Sequence, residues 1–345
     1  MAIQVKTSQA VRMITTAIKT RIVPILKGSP GIGKSQIIYQ IAAAYNLKVI
    51  DLRLAQCDPT DLAGFPMIMG TKADYAPMMH FPIEGDPLPI NPVTGQAYAG
   101  WLLFLDEATS APSAIQAAAY KLVLDRGVGS YKLHKNVAIV MAGNLESDGA
   151  IVQPMSTALE SRLLHLELVV DSQEWCDWAV ANDFDHRITD QIKFKPGNIY
   201  TFQPDHTDHT YACPRTWEFA NRLVKEEGTD SPDILPLLAG TISEGVAREF
   251  LTFCKIYDNL PKHEKIAVDP MGVKVPTEPS ILYAMTGNLS HNITAANAAS
   301  FMTYLGRIPK EFQVICMREV VRKHKPLRTH SAIVNWVATS AIELF

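Results

Sequence analysis

Gly28-Ser29-Pro30-Gly31-Ile32-Gly33-Lys34-Ser35 matches the pattern G-x-x-x-x-G-K-[ST], and what surrounds these eight residues decides the fold. The apolar run Ile22–Leu26 precedes them and reads as a buried strand. Pro24 cannot donate to a ladder and is therefore placed at that strand's beginning. Ser35–Tyr45 (SQIIYQIAAAY) follows with the composition and length of a helix. A glycine-rich turn between strand and helix lets backbone N–H groups curl around phosphate oxygens, and the helix N-terminus adds partial positive charge. Lys34 is placed to reach the β- and γ-phosphates of ATP, and the Ser35 hydroxyl to ligate Mg²⁺. A chance glycine turn is the competing reading; the flanking strand and helix oppose it.

Further along, Leu102-Leu103-Phe104-Leu105-Asp106-Glu107 is an apolar strand ending in two carboxylates. By itself it could be a strand end with solvated acids. Beside the glycine loop it takes the form in which Asp106 holds Mg²⁺ and Glu107 polarises an attacking water as general base. Val140-Met141-Ala142-Gly143-Asn144 closes the next apolar strand with a neutral amide, which in isolation also suits a turn.

The order GSPGIGKS, LLFLDE, VMAGN resembles the AAA+ ATPases, and more narrowly their MoxR-like branch. ALESR, CPRTW and the phrase DLRLAQCDPTDLAGFP extend the resemblance to about residue 225. It implies that Asn144 is sensor 1, that Arg162 is the finger acting on a neighbouring subunit's ATP, and that Arg215 is sensor 2 at the start of a lid helix. Without the resemblance, Arg162 reads as a surface ion-pair partner and Arg215 as an exposed residue after a helix-starting proline. The resemblance further implies a homo-oligomeric ring, a hexamer, that remodels a protein client, with a von Willebrand A domain adaptor as partner. Residues 57–100 correspond to its helix-2 insert and residues 125–136 to its pre-sensor-1 hairpin, both expected to line or rim the ring opening.

The rest of the chain fits an α/β fold: a parallel five-stranded sheet with helices on both faces over residues 1–170. A helical lid and helical C-terminal extension are expected over 171–345. Besides Ile22–Leu26, the expected strands are Lys48–Leu54, Trp101–Leu105, Val137–Ala142 and Leu163–Val170. A short amphipathic helix is expected over residues 7–19, and a hairpin where Gly127 and Gly129 flank a turn. The stretch from Cys57 to Gly100, with seven prolines and five glycines, reads as irregular. Expected helices in the second half include Gln173–Val180, Pro214–Glu227 and Ile234–Ile256.

Hydrophobic residues make up 47% of the 345 and charged residues 19%, with net charge −3, a balance that does not call for a nucleic-acid partner. No apolar run of about 18 residues exists to span a bilayer, and the start lacks a secretory signal, so a cytoplasmic location is expected. Five scattered cysteines without C-x-x-C spacing argue against a disulfide framework or zinc ribbon. Asp205-His206-Thr207-Asp208-His209 carries metal-capable side chains without an identifiable further ligand, and Arg322-Lys323-His324-Lys325 is a basic cluster more typical of a solvated helix end. An ATP-driven nucleic-acid motor and a nucleotide-switched scaffold with little turnover are the alternatives to a remodelling ATPase.

Overall fold

The computed structural model describes residues 3–149, 152–205 and 208–344. They divide into two compact units. The first holds the described residues of Met1–Glu174, Phe202–Thr207 and Cys213–Arg215; the second holds those of Trp175–Thr201, Asp208–Ala212 and Thr216–Phe345.

In the first unit, β1 (Ile3–Val5), α1 (Thr7–Lys19), β2 (Val23–Lys27), α2 (Lys34–Ala44) and β3 (Leu47–Arg53) follow one another. Next come α3 (Pro59–Ala63), the hairpin β4 (Phe65–Met69) and β5 (Lys72–Ala76), β6 (Gly100–Asp106) and α4 (Ser113–Asp125). A small hairpin of β7 (Gly127–Val128) and β8 (Tyr131–Lys132) leads to β9 (Val137–Gly143), α5 (Thr157–Glu160) and β10 (Leu163–Leu168). The central sheet is parallel, in the order β1-β10-β2-β9-β6-β3.

Strand alternation fixes what covers each face. Trp101, Leu103 and Leu105 of β6 join Ile139 and Met141 of β9 in one buried cluster with Ile115, Ala119 and Leu122 of α4. Leu102 and Phe104 point the other way, where the Phe104 ring meets Tyr39 of α2 edge-on, centroids 6.3 Å apart. Both faces are thus apolar, as a parallel sheet covered by helices requires.

The sheet has six strands rather than the five expected. The extra one, β1, is three residues long on the edge beside β10, too short to show a period in sequence. Pro24 is the second residue of β2, opposite Leu164 of β10. The pairing with β9 begins one residue later, at Ile25, so the missing donor falls outside that ladder.

The stretch 57–100 is more regular than expected. Pro59 starts α3 at a position where its missing N–H costs nothing. Pro66 is accommodated in β4 because the two-stranded β4–β5 ribbon leaves one side of each strand unpaired. Gly70, at φ +64°, turns the chain between them.

The second unit is helical: α6 (Ser172–Ala181), α7 (His186–Phe194), α8 (Pro214–Glu227), α9 (Ile234–Ile242) and α10 (Glu244–Asp258), then α11 (His263–Val268), α12 (Pro279–Asn292), α13 (Ala298–Leu305), α14 (Lys310–Lys323) and α15 (Ser331–Leu344). The first residues of α6 and α8 belong to the first unit. The single helix expected over Ile234–Ile256 is two, broken at Ser243 with φ +74° and ψ 155°. Trp175 and Trp178 do share a face, and both meet the edge of Phe184. Arg322 is not free solvent charge: it pairs with Asp177 and Glu319. Among the described residues no helix is long and apolar enough to cross a membrane, and no group of three metal-capable side chains converges. His206 and Thr207 lie outside the described residues.

Candidate functional site

The parallel sheet delivers its functional side chains to one end, because β2, β6 and β9 run in the same direction and stop together. β2 ends at Lys27, β6 at Asp106 and β9 at Gly143. The Gly28 N–H donates to the Gly143 carbonyl at 3.2 Å, tying the start of the glycine loop to the end of β9.

The loop's glycines are required by its shape. Gly31 and Gly33 sit at φ +76° and +98°, where an L side chain is strained. A Cβ on Gly31 would lie 2.5 Å from the Cys213 sulfur, and one on Gly28 would lie 2.6 Å from Ile32 Cδ1. Pro30 and Ile32 complete the curve, and Ile32 is buried. Gly33 is the residue before α2, which opens with Lys34 and Ser35.

Lys34 is folded back onto its own loop. Its Nζ donates to the Gly28 carbonyl at 2.6 Å, the Ser29 carbonyl at 3.0 Å and Asn144 Oδ1 at 3.0 Å, occupying the three donors of an ammonium. Only 9% of the residue is exposed, and burial pushes its pKa down to about 8 against the opposing pull of Asp106 and Asp148. A cation held this dry interacts strongly with any anion that reaches it.

Ser35 Oγ donates to Asp106 Oδ2 at 3.0 Å, while Asp106 Oδ1 accepts the Glu107 N–H at 2.8 Å. The carboxylate is therefore fixed from both sides, with a hydroxyl already beside it: the hard oxygen donors that suit Mg²⁺. Glu107 takes φ 55° and ψ 29°, a left-handed conformation uncommon for glutamate. It turns the second carboxylate away from the line of the strand.

Two residues were missed in the sequence. Thr109, 3% exposed, has its Oγ1 on the Asn144 backbone, accepting the N–H at 2.9 Å and donating to the carbonyl at 3.2 Å. Its side chain also explains Gly143, where a Cβ would lie 2.6 Å from Thr109 Oγ1. Asp148 accepts from Ser29 Oγ at 3.2 Å through Oδ1, and its Oδ2 is buried without a partner among the described residues. The hydroxyl three residues after Asp106 and the acid four after Asn144 were the available signals.

The two arginines fall differently. The Arg215 N–H donates to the Gly31 carbonyl at 3.1 Å, and its charge reaches Lys34, adding to the downward shift there. Arg162 is exposed: it donates to the Ala158 carbonyl at 2.6 Å, and its guanidinium lies 5.5 Å from the centre of the Tyr120 ring. Among the described residues, none of its hydrogen bonds or ring contacts joins Lys34, Asp106 or Asn144. The hairpin expected at 125–136 is present as β7–β8.

No family model and no curated protein matches the chain. Solved structures do. The Thermotoga maritima RuvB Holliday junction branch migration motor is 15% identical over 87% of this chain and 86% of its own, with a TM-score of 0.37. NtrX of Brucella abortus in complex with ADP is 14% identical over 93% and 67%, with a TM-score of 0.35. A candidate ATPase of Cytophaga hutchinsonii is 13% identical over 90% and 79%, with a TM-score of 0.35. To each of these the chain is similar at the level of distant structural likeness.

Proposed function

We propose that this chain is a Mg²⁺-dependent ATPase of the AAA+ type and of its MoxR-like branch, working as a ring of identical subunits, a hexamer, to remodel a protein client. The observation that carries this reading is the meeting of Lys34, Ser35, Asp106 and Asn144 where β2, β6 and β9 end. ATP phosphates lie along Gly28–Ser35, against the backbone amides, and Lys34 exchanges its loop carbonyls for phosphate oxygens. Ser35 and Asp106 would hold Mg²⁺, which when bound would neutralise charge that develops on the phosphates.

Glu107 takes a proton from the attacking water, and Asn144 orients that water through its amide. Arg215 supplies charge from the same subunit and Arg162 from the next one, spreading it over the transition-state oxygens. A von Willebrand A domain adaptor between ring and client belongs to this reading as well.

The test is steady-state phosphate release by the purified protein with ATP and Mg²⁺. Turnover is expected from the native sequence, with loss of both nucleotide binding and turnover in Lys34→Ala. Equal turnover in the two proteins would sink the proposal.

A further inference from the structure

At the opposite end of the same sheet, where β3 and β9 begin, an open cavity of about 390 Å³ is lined by Lys19, Arg21, Arg126 and Lys135. Its floor is aliphatic, with Ile22, Leu47 and Ile139 among the lining residues. No carboxylate lines it, and among the described residues none of the four cations forms an ion pair with an acid. Arg126 donates to the Val137 carbonyl, and Lys19 lies 5.6 Å from the centre of the Tyr45 ring. Burial and the neighbouring Arg21 charge both push the Arg126 pKa down, so two guanidiniums are held close without a counter-charge.

The backbone is bent to bring them there. Arg21 and Arg126 have φ of +59° and +50°, a left-handed region that strains a non-glycine residue. Three helices end nearby: α1 at Lys19, α2 at Ala44 and α4 at Asp125. Their negative ends offset part of the charge, roughly half a unit each, or about one and a half in all. Against four full positive charges this leaves about two and a half unbalanced.

We propose that this cavity binds a small phosphorylated molecule, its phosphate among Lys19, Arg21, Arg126 and Lys135 and its apolar part on the aliphatic floor. A phosphate monoester carries about −1.5 to −2 at neutral pH and offers three acceptor oxygens. That offsets most of the surplus, whereas a single carboxylate covers less than half of it. Guanidinium forks also fit phosphate oxygens two at a time. The volume lies within the roughly 300–1,000 Å³ of small-molecule sites. The cavity is separate from the glycine loop, since its residues lie around the starts of β3, β6 and β9, whereas the loop follows the end of β2 and Asp106 closes β6.

The test is calorimetric titration of phenyl phosphate into Lys34→Ala, which disables the glycine loop, with inorganic phosphate and phenol as separate arms. Saturable one-to-one binding is expected for phenyl phosphate, weaker binding for inorganic phosphate and none for phenol. Arg21→Gly and Lys135→Gln in the same background should each weaken phenyl phosphate about tenfold or more, the loss of one charge-assisted hydrogen bond. Glycine suits the positive φ at position 21 and Lys135 is exposed, so both variants should fold, which circular dichroism checks. The absence of saturable phenyl phosphate binding, or binding that both variants leave unchanged, overturns the proposal.

Discussion

Thr109 holds Asn144 by both of its backbone polar groups, its hydroxyl accepting the N–H at 2.9 Å and donating to the carbonyl at 3.2 Å. The Asn144 amide oxygen then meets Lys34 Nζ at 3.0 Å. One buried hydroxyl thus fixes where the strand-end amide points. Thr109→Val keeps the shape and leaves the Asn144 N–H unpaired, which should cost about 1–3 kcal/mol of stability. Turnover should fall about tenfold to a hundredfold, less than the roughly 10²–10³ lost when an oriented donor is removed outright. Nucleotide affinity should hold, and Thr109→Ser should restore the rate. A rate loss matched by an equal loss of affinity would show that Thr109 shapes the loop rather than aims Asn144.

Glu107 is held beside Asp106 yet turned off the strand by its left-handed backbone. Glu107→Gln keeps size and polarity and removes the base. Binding of ATP should persist while turnover drops by about 10²–10⁴, read from filter binding and phosphate release on one preparation. Full turnover in this variant would exclude Glu107 as the base.

The strands of the sheet were legible because a parallel sheet covered on both faces is written as continuous apolar runs, and Leu102–Leu105 and Val137–Ala142 are such runs. The glycine loop was legible because φ above zero demands glycine at Gly31 and Gly33. Thr109 and Asp148 were not, because a hydroxyl and an acid in loops have no period; only the fold sets them against Asn144 and Ser29. The cation cavity was hidden for the same reason, its four charges lying between positions 19 and 135 of the chain.

Ser243 shows where pattern misleads. Apolar spacing runs unbroken from Ile234 to Ile256, so nothing in it marks the break at φ +74°, ψ 155°, a region nearly exclusive to glycine. Ser243→Gly should therefore raise stability by about 1 kcal/mol, despite glycine's entropic cost. Chemical denaturation compares the two proteins, and a destabilised variant would mean that a continuous helix forms in solution.

Acid should loosen the helical unit through His291. Its Nε2 lies 3.1 Å from Lys323 Nζ and 3.9 Å from Asp190 Oδ2. Burial, with the charges of Lys323, His186, Lys193 and His324, pushes its pKa from 6.5 to about 2. The unfolded chain therefore binds a proton below pH 6.5 that the folded chain refuses, and stability falls as pH drops, by up to about 1.4 kcal/mol per unit. His186, lowered in the same direction by burial, is more exposed and adds less. Asp190 opposes: burial raises its pKa, so the folded state takes up a proton first as pH falls. Arg187 and Glu319 complete the charged surroundings, and the neutral Tyr257 hydroxyl donates to Asp190 Oδ2 at 3.4 Å. Thermal unfolding at pH 7, 6 and 5 should show the loss, and His291→Gln should flatten it. An identical pH profile in that variant would remove His291 from the account.

Arg162 is exposed and, among the described residues, bonded only to its own turn and the Tyr120 ring. If each site is completed by a neighbour, Arg162→Ala alone should lack turnover, because every site lacks its finger. Glu107→Gln alone lacks the base at every site. In a ring assembled from equal amounts of both, a site is whole only where an Arg162→Ala subunit owns it and a Glu107→Gln subunit donates to it. Random assembly in a head-to-tail ring makes that about one interface in four, so mixing should recover about a quarter of native turnover from two inactive proteins. The mixture must be made by dissociating and reassembling the subunits together. Native mass spectrometry of the reassembled rings establishes that both variants share a ring, and failure to recover activity in such rings would show that Arg162 does not act across an interface.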